Sequence, residues 1–199
     1  MQHRITRSRG RRAGVLIAAA VAAATAATAA PATAATGDHP GYGAPEEGQY
    51  QLELTHHSGV ILAVDGFGTT SGYGIQFDGA VVNDKDRYWK IQEAPKPKTV
   101  DGKAVHVYQI SSVPSDDMCV VPQTDNTHLW QKPCNANFKN TSQLWAFKKS
   151  QTSQGSYRIV PIDDRGRVIG PEVPSATDTW ATLQGPGRLA DITLTARES

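Results

Sequence analysis

From Tyr50 onward, apolar and polar residues alternate in short runs, and clusters of Gly, Pro, Asp, Asn or Ser interrupt them about every 8 to 12 residues. No segment holds a helical 3.6-residue period for three turns, so the pattern predicts strands and an all-β fold. The runs also repeat. Tyr50-Gln51-Leu52, Tyr108-Gln109-Ile110 and Tyr157-Arg158-Ile159 open three similar segments. Tyr88-Trp89-Lys90-Ile91, Leu144-Trp145-Ala146-Phe147 and Ile192-Thr193-Leu194 close them, with Trp89, Trp145 and Leu194 lying 39, 37 and 37 residues after the opening tyrosines.

Two inner runs stand between each opening and closing. The first is Val60-Ile61-Leu62-Ala63-Val64, Met118-Cys119-Val120-Val121 and Arg167-Val168-Ile169. The second is Gly74-Ile75-Gln76-Phe77, Thr127-His128-Leu129-Trp130 and Thr179-Trp180-Ala181-Thr182-Leu183. Four short strands occurring three times predict twelve, and a four-stranded unit cannot bury its apolar face alone, so the three must share one core.

The first 34 residues break this pattern. Arg4, Arg7, Arg9, Arg11 and Arg12 precede an uncharged, alanine-rich stretch from Ala13 to Ala30, and Ala32-Thr33-Ala34 offers the small side chains of a cleavage site. Residues 1–34 are therefore expected to be a signal peptide cut after Ala34, with Ala29 as the second choice, and the protein to be secreted. Residues 35–48, rich in Pro and Gly, read as a flexible lead-in to a domain over 49–199. Without the leader, 15 basic residues face 19 acidic ones, a formal charge of −4. That balance argues against a nucleic-acid partner and, after cleavage, against an anionic membrane. Cys119 and Cys134, the two cysteines of the chain, are expected to form a disulfide in an oxidising compartment.

The threefold repeat resembles the ricin-type lectin family over nearly all of residues 49–197. Gln143-Leu144-Trp145 matches the family's Gln-x-Trp, and the cysteines of Cys119-Val120-Val121 and Leu129-Trp130-Gln131-Lys132-Pro133-Cys134 stand in the family's arrangement. Ser58-Gly59-Val60-Ile61-Leu62 resembles its Ser-Gly opening. Arg87-Tyr88-Trp89 keeps the tryptophan without the glutamine, and Leu194 stands where a third tryptophan belongs. The resemblance implies a β-trefoil of three four-stranded lobes, about 49–94, 105–150 and 155–197, related by pseudo-threefold symmetry. It also implies a carbohydrate partner, glycan or polysaccharide. Trp89 and Trp145 are expected in the core.

The family's sugar-binding aspartate falls on Ala63, Val121 and Gly170, none of which accepts a side-chain hydrogen bond. Its stacking ring falls on Asp78 or Phe77 in the first lobe, on Trp130 in the second and near Trp180 in the third. Two positions beyond the missing aspartates stand Asp65, Gln123 and Glu172, on the same strand face or simply in turns. The second lobe holds the best carbohydrate set: Trp130 for stacking, with Gln123, Asp125, Asn126 and Asn140 as hydrogen-bond partners.

Catalysis finds little support. Gly68-Thr69-Thr70-Ser71-Gly72 is not a nucleophile elbow, and Asp116-Asp117 and Asp163-Asp164 sit in turn contexts. His56-His57 lacks a third ligand, so no metal or other cofactor is expected. The alternative to a lectin is a β-trefoil peptidase inhibitor that offers the Lys- and Pro-rich insert at residues 93–103 to a secreted protease; as a plain connector, the same insert is a solvated loop.

Overall fold

The computed structural model describes residues 39–79, 86–115, 117–125, 127–173, 177–185 and 190–198, all within the compact unit Ala35–Ser199. The expected export segment 1–34 and the candidate Asn126 lie outside the described residues. The elements are β1 (Tyr42–Gly43), β2 (Gly48–Leu54), β3 (Ile61–Val64), β4 (Ile75–Asp78), β5 (Trp89–Glu93), β6 (Lys98–Val100), β7 (Lys103–Val105), β8 (Tyr108–Ser112), β9 (Met118–Pro122), β10 (Leu129–Pro133), β11 (Trp145–Lys149), β12 (Tyr157–Pro161), β13 (Val168–Pro171), β14 (Thr179–Gln184) and β15 (Ile192–Ala196). Among the described residues, the helical elements are two 3-10 turns, Asp65–Phe67 and Thr141–Gln143.

Six strands close into a ring. β2 pairs with β5, β5 with β8, β8 with β11, β11 with β12, β12 with β15, and β15 returns to β2, every pair antiparallel. Closure leaves no sheet edge within the ring. Three hairpins, β3–β4, β9–β10 and β13–β14, lie in sequence between successive ring strands. They join one another in a cycle through Gly74 with Trp130, His128 with Thr182, and Trp180 with Gln76. A six-stranded barrel capped by three hairpins is the β-trefoil arrangement.

One core serves barrel and cap together. Leu52, Ile91, Ile110, Phe147, Ile159 and Ile192 come from the barrel, and Leu62, Phe77, Val120, Leu129, Ile169 and Leu183 from the hairpins. Trp89 and Trp145 are fully buried, and each donates its indole N–H to a hairpin carbonyl, Trp89 to Leu62 at 2.8 Å and Trp145 to Val120 at 3.1 Å. Gln143 ties the same hairpin from the side. Its Oε1 accepts from the Asn135 N–H at 2.7 Å, and its Nε2 donates to the Pro133 carbonyl at 2.8 Å. The disulfide Cys119–Cys134 closes the hairpin at that end.

Three expectations need correction. The tyrosine of each opening strand fixes the register: Tyr50 pairs with Trp89, Tyr108 with Trp145, and Tyr157 with Ile192. Ile192, not Leu194, therefore stands at the third tryptophan position, and it fills the core without offering a donor. Next, the lead-in contains a short strand, because Tyr42 and Gly43 pair with β11. Gly43 is required there, since a Cβ would lie 2.4 Å from the Tyr157 ring. Last, the insert is a hairpin, β6–β7, turned by Asp101 and Gly102 with φ of 50° and 73°, the left-handed pair that suits a two-residue hairpin turn. Val100 and Val105 anchor it, buried in a second apolar cluster with Leu144, Ala146 and Val160.

Candidate functional site

Alternation along the hairpins decides which side chains face outward. Ile75 and Phe77 of β4, Leu129 of β10, and Ala181 and Leu183 of β14 point into the core. The intervening residues therefore share the opposite face: Gln76 and Asp78, Trp130 and Lys132, Trp180 and Thr182, with Gly74 and His128 continuing the same face one step before β4 and β10. The cyclic pairing of the hairpins gathers these residues at the centre of the cap. Trp180 is 40% exposed, while Trp130, His128 and Gln76 are half-buried.

The register within each hairpin shows which positions are equivalent. Ala63 pairs with Gln76, Val121 with Trp130, and Gly170 with Thr182. Trp130 therefore corresponds to Gln76 in the first hairpin, not to Asp78 or Phe77, and to Thr182 in the third, not to Trp180. Phe77 is a core residue. Ala63, Val121 and Gly170 are all buried, and at Gly170 a Cβ would come within 2.7 Å of Ala190 and Gln184. A carboxylate at any of these places would be buried and desolvated.

One step further, Asp65, Gln123 and Glu172 are equivalent, as their spacing suggested. Each donates its backbone N–H across the hairpin, to the carbonyl of Gly74 at 2.9 Å, of His128 at 2.8 Å and of Trp180 at 2.8 Å respectively. These bonds close the hairpins and leave the three side chains at the rim of the cap.

The rim is most developed between the second and third hairpins. His128 Nδ1 lies 3.7 Å from an Asp125 carboxylate oxygen, and its Nε2 lies 3.9 Å from Glu172. The Trp180 ring stands edge-on to the imidazole, with centroids 6.2 Å apart. Asp125 Oδ1 accepts the Thr127 backbone N–H at 2.9 Å. That bond, then the Thr127 hydroxyl, holds the Asp125 carboxyl below its ordinary range, so the group stays anionic in mildly acidic water. Across the cap, the Asp178 carboxyl is pushed up by its hydrogen bond to Asp78 and by the charge of Asp78.

The structure thus places the expected residues unevenly. Trp130 and Gln123 share one face of the β9–β10 hairpin, and Asp125 joins them through His128 at the hairpin tip. Asn140 serves locally: its Oδ1 accepts from the Ser142 N–H at 3.2 Å and the Ser142 hydroxyl at 2.8 Å, which caps the 3-10 turn. His128, Gln76 and Thr182 escaped the sequence reading as site residues. Spacing alone offered one signal, since His128 stands two residues before Trp130 on the same strand face. Among the described residues, no group of three or more His, Cys, Asp or Glu side chains is placed to hold a metal ion.

The sequence matches no known family model and no curated protein. Its structure is similar to several solved structures, a β-trefoil among them. A mosquitocidal holotoxin matches with a TM-score of 0.61 at 10% identity, over 78% of this chain but only 18% of the toxin. The BEL β-trefoil matches with a TM-score of 0.55 at 12% identity, over 78% of this chain and 97% of that one. SeviL, solved bound to asialo-GM1 saccharide, matches with a TM-score of 0.54 at 11% identity, over 77% of this chain and all of the other. At such identities the likeness is one of fold.

Proposed function

We propose that this chain is a secreted, non-enzymatic carbohydrate-binding protein of the ricin type, exported by residues 1–34. In this reading three related four-stranded lobes are arranged about a pseudo-threefold axis, and the working surface is the outer face of the hairpin cap around Trp130. The observation that carries the reading is an outward Trp130 with polar residues sharing its face: Gln123 just past the facing strand, Asp125 at the tip and Gln76 across the cap, two residues from the Gly74 that pairs with Trp130. A sugar ring presents an apolar C–H face and a fringe of hydroxyls, and an aromatic plane edged by carboxamides and carboxylates matches both. The saccharide bound by SeviL, on the same fold, supports a glycan partner.

The peptidase-inhibitor alternative has no comparable observation in its favour. The loop it would offer, the insert at residues 93–103, is here a hairpin held down by Val100 and Val105.

Glycan-array binding of the chain that begins at Ala35 tests the proposal. The expected result is binding to at least one glycan class that falls about tenfold or more in Trp130→Ala, the order of a lost stacking contact. No binding to any glycan, together with inhibition of trypsin or subtilisin that disappears when the 93–103 segment is cut, overturns it. N-terminal sequencing of the exported protein should begin at or near Ala35.

A further inference from the structure

The third hairpin brings to the cap a platform that the second hairpin alone does not have. The Trp180 indole lies on the backbone of Gly74, where a Cβ would come within 2.1 Å of the ring. Glycine admits the Cζ3 edge of the ring against the strand while 40% of the residue stays exposed. His128 stands edge-on beside it at 6.2 Å. Carboxylates reach the same imidazole from two different hairpins, Asp125 at 3.7 Å and Glu172 at 3.9 Å, with side chains 51% and 50% exposed.

The charge around this platform has one dominant sign. Among the described residues, the outer face and rim carry Asp65, Asp78, Asp125 and Glu172 against a single lysine, Lys132, which stands four residues from His128 along the β10 strand, roughly 13 Å away. The π face of an indole is itself negative and attracts cations. An anionic sugar would meet repulsion here, and a neutral one would gain no charge pairing with the carboxylates. A ligand with both a cationic group and an apolar ring face uses every feature present.

We infer that Trp180, Asp125 and Glu172, spaced by His128, form a subsite at the junction of the second and third hairpins that selects glycan units carrying a free ammonium group, that is, de-N-acetylated hexosamines. The inference rests on the carbohydrate reading for the class of polymer and goes beyond it in naming the sugar. The ammonium group donates to the Asp125 and Glu172 carboxylates, and the C–H face of the pyranose covers the Trp180 ring. The site belongs to neither hairpin alone, because Asp125 and His128 come from one and Glu172 and Trp180 from the other.

Calorimetric titration of the chain beginning at Ala35 with β-1,4-linked glucosamine oligomers, and with fully N-acetylated oligomers of equal length, tests this at low ionic strength. The amino oligomer is expected to bind at least tenfold more tightly. That preference should weaken as salt is raised and vanish in the Asp125→Asn/Glu172→Gln double variant. Gly74→Ala, which puts a methyl group into the seat of the ring, should weaken amino-oligomer binding while the far-UV spectrum and melting profile show an intact fold. Equal affinity for the two oligomers, or a preference untouched by the double variant, overturns the inference. If neutral glycans then still bind in a Trp130-dependent way, the lectin reading stands without it; if no glycan of either kind binds, both fall.

Discussion

The indole N–H of Trp145 reaches the carbonyl of Val120 at 3.1 Å, fastening a barrel strand to the hairpin that caps it. Trp89 makes the same bond to Leu62 at 2.8 Å. Both indoles are fully buried, so each bond forms out of water, where a carbonyl left alone is costly. Trp145→Phe keeps a ring in the core and deletes the donor. The expected loss is about 1–3 kcal/mol by chemical denaturation, whereas Trp180→Phe on the exposed cap should stay within about 0.5 kcal/mol. Equal costs at the two positions contradict the assignment of Trp145 to structure and Trp180 to the surface.

The disulfide closes the second hairpin between Cys119 and Cys134, a sequence separation of 15. Restricting a loop of that length in the unfolded chain stabilises by about 3 kcal/mol in the chain-entropy model. A Cys119→Ala/Cys134→Ala variant should lose that amount, and thiol titration of the denatured, unreduced protein should find no free thiol.

Asp191 is buried between β12 and β15. Burial pushes its pKa up, but the Ser150 hydroxyl at 2.6 Å, the Thr152 hydroxyl and the Arg158 guanidinium at 2.8 Å together outweigh it and hold the carboxyl below its ordinary value. The unfolded chain therefore takes up this proton before the folded one does. The contribution of Asp191 to stability is complete above the unfolded value, about 3.9, and is lost as pH falls through the lower folded value. Asp191→Asn should cost about 3 kcal/mol at neutral pH, the low end for breaking a buried pair because Arg158 is partly exposed. It should also flatten the acid limb of the stability profile; an unchanged acid limb sinks this account of Asp191.

Much of the fold was legible because its signals are local. Alternation and turn residues marked the twelve strands of barrel and cap, and the tryptophans after Tyr50 and Tyr108 set two of the three registers. The third slipped by two residues, since Ile192 and Leu194 are both apolar and no indole distinguishes them. The β6–β7 hairpin was also written locally, in Asp101-Gly102 with Val100 immediately before it and Val105 three residues after, but lysines and prolines on one side drew the reading towards a loop. The site was harder to see. Trp130 stood out as an aromatic residue at a known position and Trp180 stood near one, whereas His128, and its place beside Trp180, gain their meaning only when the hairpins meet across the cap. Those meetings join residues about 50 or 100 positions apart, and no local pattern records them.

The four tryptophans offer the most direct test of carbohydrate binding on the cap. Each indole N–H gives its own proton–nitrogen resonance, so a titration with a glycan identified on the array reads Trp89, Trp130, Trp145 and Trp180 separately. The proposed site predicts saturable shifts of Trp130, joined by Trp180 when the sugar carries an ammonium group, with Trp89 and Trp145 still. A bound glycan that leaves both Trp130 and Trp180 unmoved would contradict it.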